Sequence, residues 1–301
     1  MQKISVWIEA FRLRTLALSF SIIVAGCGVA MQEGCFDLRT MLLAMLTTLC
    51  LQILSNLSND YGDAVHGVDN DDRIGPQRAV QSGRITAPAM KRAMLVFGLL
   101  SLTSGIGLLA SALGVIRTGG FVFLLAVGLL CIASAICYTV GRRPYGYRGW
   151  GDFSVFVFFG LVGVVGTVTL QTGTIELPAV LVAAAIGFFS TAVLNMNNMR
   201  DVDNDRASCK TTLVVRMGFE WGRRYQMALI AAAWLCLVAE TLLTFSTALQ
   251  LIYLATLPIF AMHLRFVARC DRPALLDGQL RVVSVGTLAT SVLFCAGCAL
   301  A

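Results

Sequence analysis

Two groups of carboxylate and amide side chains stand out because they repeat one pattern far apart in the chain. The first contains Asn59 and Asp63, and the second contains Asn197, Asp201 and Asp205. Each begins with Asn followed four residues later by Asp, and in the second group another Asp follows four residues further on. A recurring pattern of this kind indicates two related halves of one chain.

The spacing of four residues predicts the same chemistry for both groups. Residues four apart lie one turn apart on one face of a helix, so two carboxylates at that spacing repel each other. A compensating cation is therefore expected, and these oxygen ligands suit a hard divalent ion such as Mg²⁺. Mg²⁺ takes one or two carboxylates and completes its shell with water and substrate phosphates. Nearby basic residues such as Arg78 and Lys210 would then hold phosphate oxygens directly.

Some acids in and near these groups have a simpler interpretation. Three are expected to be ordinary solvated loop residues: Asp71, Asp72 and Asp203. The run from Asp201 to Asp205 also resembles the start of a calcium-binding loop. Arg206 stands where such a loop needs Gly, and Thr212 stands where it needs Glu, so we reject the calcium interpretation.

The elements that carry both groups are predicted to be membrane-spanning helices. Hydrophobic residues make up 57% of the 301 residues, charged residues make up 13%, and the mean hydropathy is +0.78. Soluble domains carry about 25% charged residues, and disordered chains are poor in apolar residues, so the composition excludes both classes. It predicts an all-α, multi-pass membrane protein, because the apolar runs are continuous instead of alternating.

Nine apolar runs are long enough, with their flanks, to cross a bilayer. They are Leu16–Met31, Met41–Asn56, Ala93–Leu113, Gly120–Val140, Phe153–Leu170, Leu177–Leu194, Met227–Phe245, Ala248–Phe266 and Val282–Leu300. No polar interval between them is long enough for a soluble domain. We therefore expect one integral-membrane domain over residues 1–301.

The basic residues predict an orientation for these nine spans. Of the 23 Lys and Arg residues, 21 fall in the N-terminal arm and in alternate loops, and only Arg39 and Arg117 fall in the other loops. Basic residues mark the cytoplasmic side, so the N-terminus and both acidic groups are predicted inside a cytoplasmic membrane and the C-terminus outside. Orientation also accounts for the net charge of +6, so no nucleic acid is expected as a partner.

The paired motifs Asn59-Asp-Tyr-Gly-Asp63 and Asp201-Val-Asp-Asn-Asp205 resemble the two aspartate-rich motifs of the UbiA superfamily of membrane prenyltransferases. The resemblance covers nearly the whole chain. Within the superfamily the chain is most similar to the branch that prenylates 1,4-dihydroxy-2-naphthoate. The similar stretches are Leu54–Asp63, Arg73–Arg78, Tyr138–Gly141, Pro144–Tyr147 and Asn197–Asp201.

The resemblance implies a fold, a reaction and a set of site residues. The fold is nine helices around a central cavity open to the membrane. The reaction transfers a polyprenyl group from polyprenyl diphosphate to 1,4-dihydroxy-2-naphthoate, with loss of CO₂ and diphosphate. Two Mg²⁺ ions are implied, one near Asn59 and Asp63 and the other near Asp201 and Asp205. The catalytic candidates are Asp63, Asp201 and Tyr138, and the substrate-binding candidates are Arg14, Asn56, Asp60, Arg78, Arg142, Asn197 and Lys210.

The chain departs from the family pattern at three places. Arg142 follows Tyr138 where related enzymes carry Lys, which keeps the charge but changes its geometry. Cys209 stands where Gly is common. The start Arg12-Leu-Arg14 lacks a Pro, although Arg14 still supplies a cation at the mouth of the first span.

The aromatic and histidine residues have a smaller expected part. Tyr138, with Tyr145 or Tyr147, could stabilise an allylic cation through its ring face, and anchoring at the membrane interface is the alternative. A general base is not required if CO₂ loss restores the aromatic ring, in agreement with only two histidines. His66 is a candidate for a substrate role, and His263 is expected at the membrane interface.

Two other functions remain open from the sequence. One is prenyl transfer to a different aromatic acceptor, such as 4-hydroxybenzoate or homogentisate. The other is transport of a polyanion. A transporter should carry polar groups near the middle of its spans, whereas these spans carry few, of which Glu240 is the clearest.

Overall fold

The structure is a computed structural model, and it describes residues 4–69, 75 and 77–301. At Arg14 and Arg117 the backbone is described but the side chain is not. In these ranges the chain is helical, without β-strands. The helices are α1 (Ile4–Phe11), α2 (Leu16–Gln32), α3 (Leu38–Val65), α4 (Ala87–Ser111), α5 (Arg117–Cys137), α6 (Gly151–Thr172), α7 (Leu177–Arg200), α8 (Val202–Ala207), α9 (Leu213–Met217), α10 (Phe219–Leu243), α11 (Ala248–Arg269) and α12 (Asp277–Ala299).

All nine predicted spans correspond to helices in the described part of the chain. Eight are single helices that are long and apolar enough to cross a membrane. The ninth is α2, which passes that test together with α1 as a pair bent by 52°. The all-α, multi-pass fold predicted from the sequence is therefore confirmed.

The break between α1 and α2 is held against α3. Arg12 has the left-handed backbone angle φ 52°, which ends α1. The Asn56 amide nitrogen donates to the Phe11 carbonyl at 2.9 Å and to the Thr15 hydroxyl at 3.0 Å. Since Asn56 is buried on α3, these bonds fix the direction in which the chain enters its first long span.

The helices form a closed arrangement in which the first long span meets the last. α2 packs along both α3 and α12, and α7 lies centrally against α6, α10 and α12. Small residues permit close approach of helices in a membrane. A Cβ on Gly160 of α6 would lie 2.6 Å from both the Ala183 carbonyl oxygen and the Gly187 Cα of α7, so these two backbones touch.

Two helices end differently from their predictions, and both differences bear on the acidic groups. α3 was expected to end at Asn56 but continues to Val65, so Asn59 and Asp63 lie on regular helix. α7 continues to Arg200, and Asp201 links it to the short helix α8. The Asp205 amide donates to the Asp201 carbonyl at 2.8 Å, so Asp201 and Asp205 remain one helical turn apart.

Candidate active site

A cavity of about 1000 Å³ lies between the helices, with acidic and basic side chains at one end and apolar side chains along its length. Its charged end is formed by the last turns of α3 and α7, the segment around Arg78, and the start of α12. Its apolar part lies against α4, α5 and α6, with Leu102, Leu124 and Phe159 among its walls. The cavity therefore suits a ligand with an anionic head and a long apolar tail.

The two acidic groups meet at the charged end. The Asn204 amide of α8 donates to the Val68 carbonyl, just after α3, at 2.9 Å. Burial opposes protonation of Lys210, but the carboxylates of Asp205, Asp63 and Asp201 raise its pKa above its ordinary value. One ammonium thus feels acids from both groups, and this confirms that both lie at the same end of the bundle.

Asp63 is held by a tyrosine and an arginine. The Tyr147 hydroxyl donates to its Oδ1 at 2.6 Å, and Arg78 Nη2 lies 4.0 Å from its Oδ2. Arg78 Nε also lies 3.5 Å from Oδ2 of Asp69, which is buried. Asp69 was part of the acidic stretch but not among the predicted site residues, and only the folded loop reveals that it shares Arg78 with Asp63.

Asp205 is the most open of the acids toward a further ligand. Lys210 Nζ lies 3.2 Å from its Oδ1, while its Oδ2 is buried and has no hydrogen-bond partner among the described residues. Burial raises the pKa of Asp205 to about 6; Asp201 and Asp63 add to this rise, and Lys210 opposes it. An unpartnered buried carboxylate oxygen is costly, and a cation would satisfy it.

Asp201 is clamped by its neighbour Arg200. The guanidinium donates to both carboxylate oxygens, at 2.8 and 2.6 Å, in the two-pronged geometry typical of strong pairs. Arg200 also donates to Asp277 of α12 at 2.7 Å and to Asn197 at 2.8 Å. Arg200 was not predicted as a site residue, and its contact with Asp277, 77 residues away, has no signal in the sequence.

Asn59 is held by the segment that follows α5. Its Oδ1 accepts a hydrogen bond from the Thr139 hydroxyl at 3.3 Å, and that hydroxyl also donates to the Ser58 carbonyl at 2.8 Å. Gly62 permits this approach, since a Cβ there would lie 2.5 Å from the Thr139 carbonyl oxygen. Both Asn59 and Asn197 line the cavity.

Tyr138 presents a neutral ring to the cavity. Its ring meets that of Tyr145 edge to face, with centroids 5.3 Å apart, and it packs against Gly146 and Gly151. Burial is the main reason that the pKa of Tyr138 is raised, and nearby acids such as Asp152 add to the rise. A neutral aromatic ring in this position can stabilise a cation through its face.

Tyr147 has a different position from Tyr138. It lies between the two acidic groups, bonded to Asp63, with Lys210 Nζ 5.7 Å from its ring centroid. Burial and the charge of Asp63 raise the pKa of Tyr147, so its hydroxyl remains a donor. Tyr145 lines the cavity, and its hydroxyl is bonded to Ser134 and Ser154 at 3.0 Å each.

Several predicted residues are not brought to the cavity surface as expected. Arg142 is exposed and outside the cavity lining, because α5 ends at Cys137 and Gly141 turns the chain with φ 117°. Tyr138 and Arg142 are therefore not on one helix face. The carboxylate of Asp60 accepts from the backbone amides of residues 79 and 80, at 3.1 and 3.0 Å, and fixes the segment that carries Arg78.

Other predicted positions have plain outcomes. The side chain of Arg14, and Asp71 and Asp72, lie outside the described residues. Asp203 is exposed, as expected for a solvated residue, with Arg206 at 3.6 Å. Cys209 has φ 56°, the backbone conformation that favours the Gly common there in relatives.

The expectation for His263 was wrong. It is buried instead of interfacial, with its ring nitrogens bonded to Gln226 at 3.0 Å and Gln279 at 2.7 Å. These amides satisfy it inside the bundle. His66 is exposed, and its ring nitrogens lie 2.8 and 3.0 Å from the carbonyl oxygens of Gly62 and Gly141.

The donors at the charged end fit a hard divalent ion that also binds a phosphate. Within the described ranges, no three His, Cys, Asp or Glu side chains form a group that could hold a metal by themselves. The fitting donors are instead one or two carboxylates at a time, with the unpartnered Oδ2 of Asp205 and the cavity-facing amide of Asn59. This matches the preference of Mg²⁺ for few carboxylates plus phosphate and water.

The fold and this site define an integral membrane protein built to hold an anionic head group next to an apolar chamber. The sequence model of the UbiA prenyltransferase family matches residues 19–276. The chain therefore belongs to the UbiA prenyltransferase family, which confirms the expectation from its paired motifs.

Two curated relatives match nearly the full chain. An Escherichia coli protein named 1,4-dihydroxy-2-naphthoate octaprenyltransferase is 43% identical over 291 residues, which cover 97% of this chain and 94% of that protein. A Haemophilus influenzae protein of the same name is 39% identical over 299 residues, with coverage of 98% and 96%.

Solved structures share the fold at low identity. A UbiA homologue from Aeropyrum pernix in its apo form has a TM-score of 0.68 and 18% identity, covering 93% of this chain and 96% of that one. A UbiA homologue from Archaeoglobus fulgidus bound to GPP and Mg²⁺ has a TM-score of 0.64 and 15% identity, with coverage of 94% and 99%.

Proposed function

We propose that this protein transfers a polyprenyl group from polyprenyl diphosphate to 1,4-dihydroxy-2-naphthoate. The new carbon–carbon bond replaces the ring carboxylate, which leaves as CO₂, and diphosphate is the second product. The prenylated ring is demethylmenaquinone in its reduced form. The observation that carries the proposal is the meeting of two acidic groups, from α3 and α7–α8, at the mouth of an apolar cavity. The names of the full-length relatives support the naphthoate acceptor.

The acids would hold Mg²⁺ together with the substrate diphosphate. We assign one ion to Asn59 and Asp63 and a second to Asp201 and Asp205, and the unpartnered Oδ2 of Asp205 supports this assignment. Bound Mg²⁺ would neutralise the negative charge that develops on the leaving diphosphate. The Mg²⁺ and prenyl diphosphate named for the Archaeoglobus fulgidus homologue agree with this use of the site.

Arg78 and Lys210 would exchange partners when the substrate arrives. Without a ligand, Arg78 lies beside Asp63 and Asp69, and Lys210 lies beside Asp205. A metal on these acids frees both cations to donate to phosphate oxygens. In Arg78→Ala and Lys210→Ala we expect the KM for prenyl diphosphate to rise about tenfold or more, because each loses a charged hydrogen bond. An unchanged KM in both variants would remove this role.

The chain also protects the allylic cation that forms as diphosphate departs. Tyr138 presents a neutral ring face, and the apolar walls of α4, α5 and α6 exclude the water that would hydrolyse the cation. The electron-rich naphthalene ring then attacks the cation. Loss of CO₂ restores its aromaticity, so no side chain has to act as a general base.

A direct assay separates this proposal from its alternatives. Membranes containing the protein would be incubated with Mg²⁺, a polyprenyl diphosphate and a panel of aromatic acids. We expect a prenylated product with release of CO₂ from 1,4-dihydroxy-2-naphthoate. Product only from 4-hydroxybenzoate or homogentisate would change the acceptor, and no product from any acid would overturn the enzyme assignment and favour a polyanion transporter.

A further inference from the structure

Two buried serine hydroxyls face the cavity without a hydrogen-bond partner. Ser190 of α7 is 1% exposed and Ser284 of α12 is 4% exposed. Both line the cavity, and neither Oγ has a partner among the described residues. Buried polar groups in native proteins are almost always paired, so these two hydroxyls point to a ligand that pairs with them.

Hydroxyls on the opposite wall of the cavity do not share this property. Ser101 of α4 donates to the Phe97 carbonyl at 2.7 Å, and Thr47 of α3 donates to the Leu43 carbonyl at 2.9 Å. These side chains line the same cavity but are satisfied by their own helices. The unsatisfied hydroxyls are therefore those of the α7–α12 wall, which we define by Ser190, Arg281 and Ser284.

Arg281 adds a cation to this wall. It lies on α12 one turn after Asp277 and one turn before Ser284, and all three residues line the cavity. Asp277 is paired with Arg200 at 2.7 Å. Arg281 has no ion pair or hydrogen bond with any described residue, so its charge is available to a ligand.

The two sides of the cavity thus differ in chemistry. Leu102, Ile106 and Leu124 of α4 and α5 offer an apolar surface to a prenyl tail. The α7–α12 wall offers one cation and two hydroxyls next to the charged end. A planar ring that carries a carboxylate and hydroxyl groups matches that set, since Arg binds carboxylates and Ser can donate to or accept from a phenol.

We propose that the α7–α12 wall is the binding site for the aromatic acceptor, with Arg281 on its carboxylate and Ser190 and Ser284 on its ring hydroxyls. This rests on the proposed function and adds the residues that select the acceptor. It separates them from Arg78 and Lys210, which serve the diphosphate.

The test for Arg281 uses two inhibitors that differ only in a carboxylate. 1-Hydroxy-2-naphthoate and 1-naphthol would compete with 1,4-dihydroxy-2-naphthoate. In Arg281→Gln we expect the Ki of the hydroxynaphthoate and the KM of the acceptor to rise about tenfold or more, because a charged hydrogen bond is lost. The Ki of 1-naphthol and the KM of prenyl diphosphate should not change. Arg281→Lys should recover part of the loss, and Arg269→Gln, exposed and outside the cavity lining, is the control.

The serines have a matched control on the same helix. Ser190→Ala and Ser284→Ala should each raise the Ki of both inhibitors about fivefold, the effect of one neutral hydrogen bond of about 1 kcal/mol. Ser291 of α12 is also buried with an unpartnered hydroxyl among the described residues but does not line the cavity. Ser291→Ala should leave both Ki values unchanged.

The outcomes separate this inference from the function on which it rests. Failure of the wild-type protein to prenylate 1,4-dihydroxy-2-naphthoate would overturn both. With wild-type turnover intact, a raised KM for prenyl diphosphate in Arg281→Gln would assign Arg281 to the diphosphate and overturn the acceptor site alone. Equal shifts in both inhibitors for Arg281→Gln, or in Ser291→Ala as much as in Ser284→Ala, would also overturn it.

Discussion

Asp63 and Asp201 lie at equivalent places in the two acidic groups but are held differently. Asp63 accepts from Tyr147 and lies 4.0 Å from Arg78. Asp201 is clamped on both oxygens by Arg200, which keeps Asp277 as a second anchor. Neither acid is the sole partner of its cation, so the fold should survive the loss of either one.

Asp63→Ala and Asp201→Ala should therefore give folded, membrane-inserted protein that has lost at least about a hundredfold in transfer rate, since stabilisation of the leaving group is among the largest catalytic effects. The measurement is the initial rate at saturating Mg²⁺, together with the melting temperature in detergent. Asp203→Ala is the control, because Asp203 belongs to the same motif but is exposed. Wild-type activity in either variant would overturn the metal assignment.

Asp205 gives the site a dependence on pH. Its pKa is raised to about 6, chiefly by burial, so the carboxyl becomes protonated as the pH falls through that value. A protonated carboxyl is not a metal ligand, and the apparent affinity for Mg²⁺ should fall below about pH 6 and level off about one unit above it.

This dependence can be measured by titrating substrate-free protein with Mg²⁺ in a calorimeter at a series of pH values. Asp205→Asn removes the titrating group and should bind Mg²⁺ weakly, without the fall centred near the pKa of about 6. The same pH profile in wild type and variant would assign the titration to another residue.

At the scale of helices, the site depends on how closely the end of α3 approaches the segment after α5. A Cβ on Gly62 would lie 2.5 Å from the Thr139 carbonyl oxygen, and Thr139 in turn holds Asn59. The glycine inside the motif is thus required by packing and not by backbone freedom.

Gly62→Ala should push Thr139 away and displace both Asn59 and Asp63. Overpacking of this kind costs about 1–3 kcal/mol, and we expect a lower melting temperature with a large loss of transfer rate. Gly98→Ala on α4 is the control, because a Cβ there meets nothing within 4 Å. It should keep full activity, and if Gly62→Ala behaved in the same way the close approach would be wrong.

The helices and the acidic motifs could be predicted because their signals are local. Apolar runs located all nine spans, and a spacing of four residues placed Asn59 and Asp63 on one helix face. Arg142 shows where this reasoning fails. A spacing of four implies a shared face only while the helix continues, and α5 ends at Cys137.

The remaining parts of the site depend on contacts between distant segments. Arg200 reaches Asp277, and Ser190 and Ser284 share a cavity wall only because α7 packs on α12. None of these residues has a periodic pattern or motif that marks it. Their roles arise from which helices become neighbours, and a single sequence does not specify this.

At the scale of the whole molecule, the distribution of basic residues predicts the orientation. With nine spans and 21 of 23 basic residues at one end, the C-terminus should lie outside and the acidic groups inside the cytoplasmic membrane. Alkaline phosphatase fused after α12 should be active, and a green fluorescent protein fused there should be dark. Fusions after Arg269, at the end of α11, should behave in the opposite way, and a fluorescent fusion after α12 would reverse the orientation.

The packing of α2 against α12 has a consequence for how the protein is made. These helices are the first and the last long spans, so α2 enters the bilayer when its main neighbour has not yet been synthesised. Its buried stripe of small residues, including Ala25, Gly26 and Ala30, must face lipid or a temporary partner until translation reaches α12. The chamber is closed by the final insertion step, so a ribosome that stalls before α12 leaves a bundle with one wall missing.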